Sequence, residues 1–310
     1  MGPVSNPPGS EPEVPLSLSD LRALAVGVAY RMVGSRTEAE DLAQEAIARV
    51  APLLGAGELR NAEAYTTTVT TRLAIDHLRL ARVQRETYVG PWLPEPVVDD
   101  ELGPAAAAEL GDSLSLAFLV VLESLGPLER AAFLLRDVFA FDYAQVAEAL
   151  GRSEAACRQL VSRARQRIEE RRPRYPVDPA EHRALLERFV AATSTGDVGS
   201  LQTLLAEGVV LVSDGGADRK AARRPIEGRD RVIRFLAAIG PKVLGPAPSV
   251  STWSGTVEVR QEELNGEPGF VVRHDGRVTL AGTIEVVDGS IASIRWVLNL
   301  DKLHWVPGAT

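Results

Sequence analysis

The stretch QVAEALGRSEAACRQLVSRARQRI, from Gln145 to Ile168, decides the fold of the region around it. It predicts two helices separated by a tight turn at Gly151, because glycine readily adopts the left-handed conformation that ends a helix. Asp142 pairs with Gln145 as a capping box for the first helix, and Ser153 caps the second. A helix, a turn and a second helix in this order predict a helix-turn-helix, the layout of a DNA-binding unit.

The second of these helices has an apolar face and a basic face. Small and aliphatic side chains recur every three or four residues, which predicts burial of Cys157, Leu160, Val161, Ala164 and Ile168. The other face turns outward the side chains that can donate to bases and phosphates, namely Arg158, Gln159, Ser162, Arg163 and Arg165. The alternative is an ordinary amphipathic helix with a solvated basic face.

Composition limits the class of protein. The chain has 310 residues, of which 45% are hydrophobic and 25% charged, enough for two or three ordinary cores. No apolar run approaches the ~20 residues of a membrane helix, and residues 1–15 lack the features of a signal peptide. We therefore expect a cytoplasmic protein with a disordered tail at residues 1–15 and no membrane association. Its single cysteine, Cys157, excludes an internal disulfide, and nothing indicates a metal, a cofactor or a catalytic residue.

The net charge of −8 is unusual for a protein that binds nucleic acid, but the charges are unevenly distributed. One segment concentrates arginines at Arg158, Arg163, Arg165, Arg167, Arg171, Arg172 and Arg174. Another segment concentrates acids at Asp99, Asp100, Glu101, Glu109 and Asp112. Local patches rather than the total charge decide binding, so the acidic total does not exclude a DNA-binding surface.

Hydrophobic periodicity divides the chain into two helical blocks, at residues 16–86 and 113–174, joined by a linker at 87–112. In the first block Thr37 and Glu40 form the pattern of a capping box, and a long third helix begins near Asn61. Pro127 suits the first turn of a helix in the second block. The linker is rich in proline and acids. Within it, Trp92 lies among prolines and is too apolar for a mere spacer, so we expect it to pack against a folded domain.

A third block, at residues 177–306, has a different character. Two helices precede a strand at 209–213, a glycine turn at Gly215 and Gly216, and a helix near 230–238. From Val250 onward the chain alternates with a period of two. Its hairpin turns are Asn265-Gly266, Asp275-Gly276 and Asp288-Gly289. Helices followed by strands predict an α+β domain in which a curved antiparallel sheet wraps a helix.

The chain resembles a known family. Its two helical blocks resemble regions 2 and 4 of a bacterial RNA polymerase sigma factor of the extracytoplasmic-function (ECF) class. The third block resembles a SnoaL-like domain of the nuclear-transport-factor-two superfamily, a pairing similar to group 41, the SigJ-like proteins. The motifs that carry the resemblance are GPWLPEPV (Gly90 to Val97), DGGADRK (Asp214 to Lys220) and NLDKL (Asn299 to Leu303). Ala217 and Leu300 depart from it, because a glycine and a proline are usual there.

The resemblance implies a role for each surface. It implies that Asp41, Gln44 and Glu45 bind the clamp helices of the core polymerase β′ subunit, with the β subunit as a further contact. Binding of the −10 promoter element, with one base flipped out of the stack, falls to Arg60, Asn61, Arg72 and Arg79. Binding of the −35 element falls to Arg158, Gln159, Ser162 and Arg163, with Arg165 and Arg167 on the DNA backbone. The alternative for each set is a solvated polar face.

The linker motif and the two motifs of the third block predict an interdomain regulatory contact. Its linker side comprises Trp92, Leu93, Pro94, Glu95 and Pro96, and its domain side comprises Asp214, Gly215, Gly216, Asn299, Asp301 and Lys302. Covalent tethering lets even a weak contact form. Ordinary turn and surface roles explain the polar residues of the domain side equally well. The acidic part of the linker either threads toward the polymerase active-site cleft, as in the resembled proteins, or is a solvated spacer.

Two other functions stay open at this point. The third block could hold a pocket that binds a small apolar molecule or a protein signal, or that catalyses an isomerisation or cyclisation through Asp214, His274 or His304. The chain could also be a one-component repressor with a ligand domain, although that leaves the first helical block unexplained. We favour a promoter-specificity subunit whose C-terminal domain supplements or replaces a separate anti-sigma protein.

Overall fold

The computed structural model describes residues 17–86, 88–98, 115–170, 178–217, 219–245 and 256–307, with residues 82–86 described by their backbone alone. The predicted tail at residues 1–15 and the acidic linker side chains from Asp99 to Asp112 lie outside these ranges, as do Arg171, Arg172 and Arg174. None of the helices in the described ranges has the length and apolarity needed to cross a membrane.

The first helical block consists of α1 (Leu18–Val33), α2 (Arg36–Gly55) and α3 (Ala62–Glu86). The predicted capping box at Thr37 and Glu40 is wrong, because α2 begins earlier and Ser35 caps it by accepting from the Glu38 N–H at 3.2 Å. Glu40 instead forms ion pairs with Arg22 and Arg36. Asn61 caps α3, as the predicted helix start requires, by accepting from the Ala64 N–H at 2.8 Å.

The second helical block consists of α4 (Leu116–Glu123), α5 (Pro127–Phe133), α6 (Tyr143–Leu150) and α7 (Glu154–Glu169), with one π-helical segment (Leu134–Val138) after α5. The helix-turn-helix prediction is confirmed in its details. Asp142 and Gln145 cap α6 reciprocally, Gly151 ends it at φ 61°, and Ser153 caps α7. Cys157, Val161, Ala164 and Ile168 are buried on the apolar face of α7, whereas Leu160, also predicted to be buried, is only partly buried.

The two helical blocks share one apolar core. Ala29, Val33 and Leu78 of the first block belong to the same buried cluster as Phe133 and Ile168 of the second. Arg130 of α5 is buried with them, where it donates to the carbonyl oxygen of Met32 and pairs with Glu123 at 2.8 Å. The free chain therefore has a closed arrangement in which the helix-turn-helix is packed against the first block.

The C-terminal domain consists of α8 (Pro179–Thr195), α9 (Val198–Leu204), β1 (Leu205–Asp214), β2 (Ile226–Glu227), α10 (Arg229–Val243), β3 (Val257–Leu264), β4 (Glu267–His274), β5 (Arg277–Val287) and β6 (Ser290–Val297). The described strands form one sheet in the order β2-β1-β6-β5-β4-β3. Neighbouring strands are antiparallel, as predicted, except that β1 runs parallel to β6. Asn265, Asp275 and Asp288 have the positive φ that the predicted hairpin turns require.

The two faces of this sheet pack against different parts of the chain. The inner face carries Phe270, Ile294 and Trp296 and packs against the helices of the domain itself. The outer face carries Leu264, Val271, Val297 and other apolar residues and packs against Leu93 of the linker, with Val98 and Val120 at the margin. The linker therefore crosses the outer face of the sheet. We call the resulting contact between the linker and the C-terminal domain the junction.

Candidate functional site

The site begins with a carboxylate at the end of β1. Asp214 is fully buried, and its Oδ2 accepts from Lys302 Nζ at 2.8 Å and from the Leu93 N–H at 2.8 Å. Its Oδ1 accepts from the Tyr88 hydroxyl at 2.5 Å and from the Gly216 N–H at 3.1 Å. Four donors surround this carboxylate, and two of them come from the linker.

Lys302 pairs directly with Asp214 beside the linker backbone. It follows β6 in a short 3₁₀ helix (Leu300–Lys302), and its Nζ donates to the carbonyl oxygen of Leu93 at 2.6 Å. The ammonium lies 4.0 Å from the ring centroid of Trp92 and 5.0 Å from that of Tyr88. Aromatic faces attract a cation, and burial strengthens that attraction. Two aromatic rings and one carboxylate therefore surround the ammonium group of Lys302.

This contact is stabilised by two further motif residues, Asn299 and Gly216. Asn299 donates from Nδ2 to the Tyr88 hydroxyl oxygen at 2.9 Å. A side chain at Gly216 would begin 2.8 Å from Asn299 Nδ2, so only glycine fits against that amide. Hydrogen bonding to Asp214 and burial raise the pKa of Tyr88, with burial the larger cause, so the phenol stays a donor at neutral pH.

A second contact joins the linker to the helix that carries the predicted polymerase-binding residues. Glu95 is buried, and its Oε2 accepts from the Arg36 N–H at 2.7 Å and the Thr37 N–H at 3.2 Å, at the first turn of α2. Its Oε1 accepts from the Ser35 hydroxyl at 2.8 Å. Burial nevertheless raises the pKa of Glu95. A linker carboxylate thus satisfies N–H groups that a helix end leaves without partners.

A third contact joins all three parts of the chain through one side chain. Asn265, at the β3–β4 hairpin turn, donates from Nδ2 to the Tyr30 hydroxyl oxygen at 2.7 Å and accepts from the Val97 N–H at 3.1 Å. Its own N–H donates to the Val97 carbonyl at 2.9 Å. The Tyr30 hydroxyl in turn donates to the Glu95 carbonyl at 2.5 Å. All four residues are buried, so this chain of hydrogen bonds is shielded from water.

The C-terminal end of the described chain also reaches the first helical block. The side chain of Thr37 lies 2.9 Å from His304 Nε2 and accepts from Trp305 Nε1 at 3.2 Å. The guanidinium of Arg36 lies 5.4 Å from the ring centroid of Trp305. The start of α2 is therefore held by the linker on one side and by the end of the C-terminal domain on the other.

The structure brings together most of the residues predicted for the interdomain contact. Trp92, Leu93, Asp214, Asn299 and Lys302 meet directly, Glu95 binds α2, and Pro94 and Pro96 are buried beside it. Gly215 packs against the loop that follows it. Asp301 does not fit the prediction in the same way, because it is exposed and its N–H donates to Asn299. Sequence reasoning missed Tyr30, Tyr88 and Asn265.

The predicted polymerase-binding residues are accessible. Asp41, Gln44 and Glu45 are all exposed on α2, and Glu45 pairs with Arg49 one turn further along. Neither the linker nor the C-terminal domain covers this face in the contacts described above. The contacts to the start of α2 therefore position the helix without occupying its exposed acidic stripe.

The residues predicted for the −10 element do not all lie on one free surface. Arg60 and Asn61 are exposed at the start of α3, and Arg79 is exposed and pairs with Asp76 at 3.0 Å. Arg72 does not lie on a free basic surface with them. It donates to the carbonyl oxygens of Glu148 and Ala149 at 2.7 Å each, at the end of α6. In this closed arrangement Arg72 holds the helix-turn-helix against α3, because the last carbonyls of a helix need donors.

The residues predicted for the −35 element form one exposed surface on α7. Arg158 pairs with Glu154 at 2.7 Å and stacks on Tyr143, 4.8 Å from its ring centroid. Arg165 makes two hydrogen bonds to Asp137, which raise its pKa, and Arg167 pairs with Glu129 at 2.7 Å. Gln159, Ser162 and Arg163 are exposed beside them. The ion pairs orient the arginines but leave about half of each side chain accessible.

The three residues considered for catalysis have separate surroundings. Asp214 is held by the four donors of the junction. His274 is buried on β4, its Nδ1 lies 2.6 Å from Thr279 Oγ1, and burial lowers its pKa. His304 is exposed and contacts Thr37. The contacts of these side chains therefore give no shared acid-base arrangement.

The chain is similar to known proteins, both within its two helical blocks and over most of its length. The family model for Sigma-70 region 2 matches residues 18–83, and the model for Sigma-70 region 4 matches residues 115–168. The chain is 37% identical over 295 residues to the ECF RNA polymerase sigma factor SigJ of Mycobacterium tuberculosis, covering 93% of this chain and 92% of that protein. The crystal structure of that SigJ matches with a TM-score of 0.73 at 35% identity, over 94% of this chain and 99% of the other.

Proposed function

Since the chain belongs to the ECF RNA polymerase sigma factors, proteins that direct promoter recognition and transcription initiation, we propose that its C-terminal domain regulates this activity in the same polypeptide. The domain does so by holding the linker and the first helical block in one arrangement. In this proposal residues 16–86 act as region 2, 113–174 as region 4 and 177–306 as the regulatory SnoaL-like domain, with the linker at 87–112 as the part that is held.

The proposal assigns three exposed surfaces to partners. Asp41, Gln44 and Glu45 contact the β′ clamp helices, and the second helical block contacts the β subunit. The −10 element is bound by Arg60, Asn61, Arg72 and Arg79. The −35 element is bound by Arg158, Gln159, Ser162, Arg163, Arg165 and Arg167. Arg72 reaches DNA only after its hydrogen bonds to α6 are broken, so the closed arrangement and the promoter complex compete for this side chain.

One observation carries the regulatory part of the proposal. Asp214 and Lys302 bind the N–H and the carbonyl of the same linker residue, Leu93, inside a buried contact. A partner or small molecule that binds better to the closed or to the open arrangement shifts the population and hence the transcriptional output. Tethering strengthens the contact, since linked groups meet at an effective concentration of ~mM.

An enzyme or a small-ligand sensor built on the C-terminal domain is the second candidate. The carboxylate considered for catalysis, Asp214, is engaged with Lys302 and two linker groups, which opposes a role as a free base. A signal in the form of a small molecule or a protein remains part of the regulatory proposal, because such a ligand needs only differential affinity for the two arrangements.

The experiment compares Trp92→Ala, a truncation that removes residues 299–310, and the two changes together. Promoter output is measured with a transcriptional reporter, and core polymerase binding is measured by co-elution. We expect each change to alter output while core binding persists, and the double variant to be far from additive because both changes open the same contact. Leu300→Ala is the control, because Leu300 is 44% exposed in the same 3₁₀ turn. Strictly additive effects would show that the linker and the C-terminal motif do not communicate.

A further inference from the structure

One segment of the C-terminal domain, which runs from the loop after β1 through β2 into the start of α10, concentrates positive charge. Residues 219–234 contain seven cations, Arg219, Lys220, Arg223, Arg224, Arg229, Arg231 and Arg234, and two acids, Glu227 and Asp230. This gives a local charge of 7 − 2 = +5 in a chain whose net charge is −8. Such a concentration is the usual sign of a surface that meets a polyanion.

Three cations near the start of this stretch are exposed and are not neutralised by an acid among the described residues. Lys220, Arg223 and Arg224 are exposed and form no ion pair with the residues that the structure describes. Some exposed arginines elsewhere are neutralised by an acid, as in Arg79 with Asp76 and Arg183 with Glu263. An unpaired cation keeps its charge available for a phosphate. We call residues 219–224 the basic loop.

The basic loop is held in place by the end of β1. The Arg219 N–H donates to the Gly215 carbonyl at 3.2 Å, and the Ala222 N–H donates to the Ser213 hydroxyl at 2.9 Å. Ser213 is buried, and a side chain at Gly215 would begin 2.7 Å from the Arg219 carbonyl oxygen. The loop is therefore packed tightly against the turn beneath it, so its cations are presented at a fixed place with little ordering cost on binding.

That place adjoins the helix of the predicted −10 contacts. A Cβ at Gly90 would lie 3.6 Å from the Arg223 Cα, so the two backbones lie close together. Gly90 follows the last residue of α3, Glu86, by four residues, a span of at most ~14 Å even if extended. The basic loop thus lies near the C-terminal end of α3, closer to Arg79 than to Arg60 and Asn61 at the start of that helix.

We propose that the basic loop is a further DNA-binding element, which contacts phosphates flanking the −10 element through Arg223 and Arg224, with Lys220 beside them. The partner is promoter DNA rather than an acidic protein surface, since the loop borders the DNA-binding helix and its cations are spaced along backbone rather than grouped around a pocket. The contact is independent of sequence, because arginine on phosphate carries no base information. It goes beyond regulation, because it gives the C-terminal domain a direct role in holding the promoter.

The test uses holoenzyme assembled from core polymerase and the full chain, with promoter duplexes that extend at least ten base pairs beyond the −10 element on either side. Affinity is measured across a series of salt concentrations for wild type and for the double variant Arg223→Ala, Arg224→Ala. Each lost phosphate contact lowers the slope of log affinity against log salt by ~0.9. We therefore expect the slope to fall by about two units in the double variant, with the loss of affinity largest at low salt.

The control removes two matched charges elsewhere, in Arg188→Ala, Lys242→Ala. Both side chains are exposed and without an ion pair, and Lys242 lies ~20 Å along α10 from the helix start that follows the basic loop. The control should keep the wild-type slope. Equal slopes for both variants overturn the proposal, as does an unchanged slope together with weaker assembly on core polymerase, which would assign the loop to a polymerase contact. Failure of the wild-type holoenzyme to bind promoters would instead count against the sigma-factor function itself.

Discussion

Lys302 Nζ and Asp214 Oδ2 form a buried ion pair of 2.8 Å, and each partner also binds the backbone of Leu93. Lysine is the donor to the carbonyl and aspartate is the acceptor from the N–H, so both backbone polar groups of one linker residue are bound. Both side chains are needed for this arrangement, because the lysine ammonium can only donate a hydrogen bond and the aspartate carboxylate can only accept one.

The first prediction concerns this ion pair. Asp214→Asn leaves the Lys302 ammonium buried without its counter-charge. Lys302→Met likewise leaves the Asp214 carboxylate buried without its counter-charge. Breaking a buried pair in this way typically costs ~3 to 5 kcal/mol, whereas replacing both partners costs less. Urea unfolding followed by tryptophan fluorescence should therefore show each single variant less stable than the double variant Asp214→Asn, Lys302→Met. Single variants as stable as wild type would contradict a structural role for the pair.

The second prediction concerns Asn265. Asn265→Gly keeps the positive φ of 56° and removes both side-chain hydrogen bonds, whereas Asn265→Ala also adds backbone strain. We expect Asn265→Gly to lose ~1 to 3 kcal/mol of unfolding free energy, because the Tyr30 hydroxyl and the Val97 N–H stay buried with fewer partners. Asn265→Ala should lose about 1 kcal/mol more. Combination with Tyr30→Phe should be less than additive, and full additivity would rule out the shared hydrogen bond.

The helix-turn-helix and the hairpin turns were predictable because their signals are local. Capping pairs such as Asp142 with Gln145, and the Asn265-Gly266 turn, depend on residues within a few positions of each other. The helix start at Thr37 was predicted wrongly for a related reason. Ser35 offers a competing cap two residues earlier, and a linker carboxylate 58 residues away, Glu95, binds the N–H of Thr37 and favours the earlier start.

The interdomain site was predictable only where the resemblance supplied motifs. Trp92, Asp214 and Lys302 lie in such motifs, but Tyr30 and Tyr88 do not, and nothing in their local pattern separates a buried bridging phenol from an ordinary core tyrosine. The closed packing of the two helical blocks was likewise hidden, since an apolar residue such as Phe133 shows that it is buried but not against which partner. The hydrogen bond from Arg72, a residue predicted for the −10 element, to the end of α6 depends on that packing.

The third prediction concerns pH and Glu95. Burial raises the pKa of this carboxyl above its ordinary value of 4.5, so the folded protein binds this proton more tightly than the unfolded chain does. The corresponding stability is fully present below pH 4.5 and is lost as the pH rises through the raised pKa. Wild type should therefore lose unfolding free energy relative to Glu95→Gln over that window in urea titrations. A difference between the two proteins that stays constant from pH 4 to pH 8 would refute the assignment.

The fourth prediction concerns polymerase binding. Alanine at Asp41 and Gln44 together should sharply weaken co-elution with core polymerase, since a hot-spot residue contributes ~1 to 3 kcal/mol. Both side chains are exposed, so the fold should survive. Glu58→Ala, just beyond the same helix, is the matched control, because it removes an exposed acid outside the predicted set. Undiminished binding by the double variant, or equal loss in the control, would place the contact elsewhere.

The last prediction separates base recognition from charge on α7. Arg158 and Arg167 are comparably exposed, at 55% and 48% of the side chain, and each is paired with one carboxylate, so they differ mainly in where they lie on the helix. Arg158, near the start of α7, is positioned to bind base edges in the major groove, where a bidentate contact discriminates by ~1 to 3 kcal/mol. Arg158→Ala should therefore relax the preference for the −35 sequence, because the variant treats correct and altered bases more alike. Arg167→Ala should weaken every promoter similarly and lower the salt slope by ~1, as expected for a phosphate contact. In vitro transcription from promoters with single −35 substitutions measures both effects. If the two variants behave alike across those promoters, the assignment of the start of α7 to the bases and its end to the backbone is wrong.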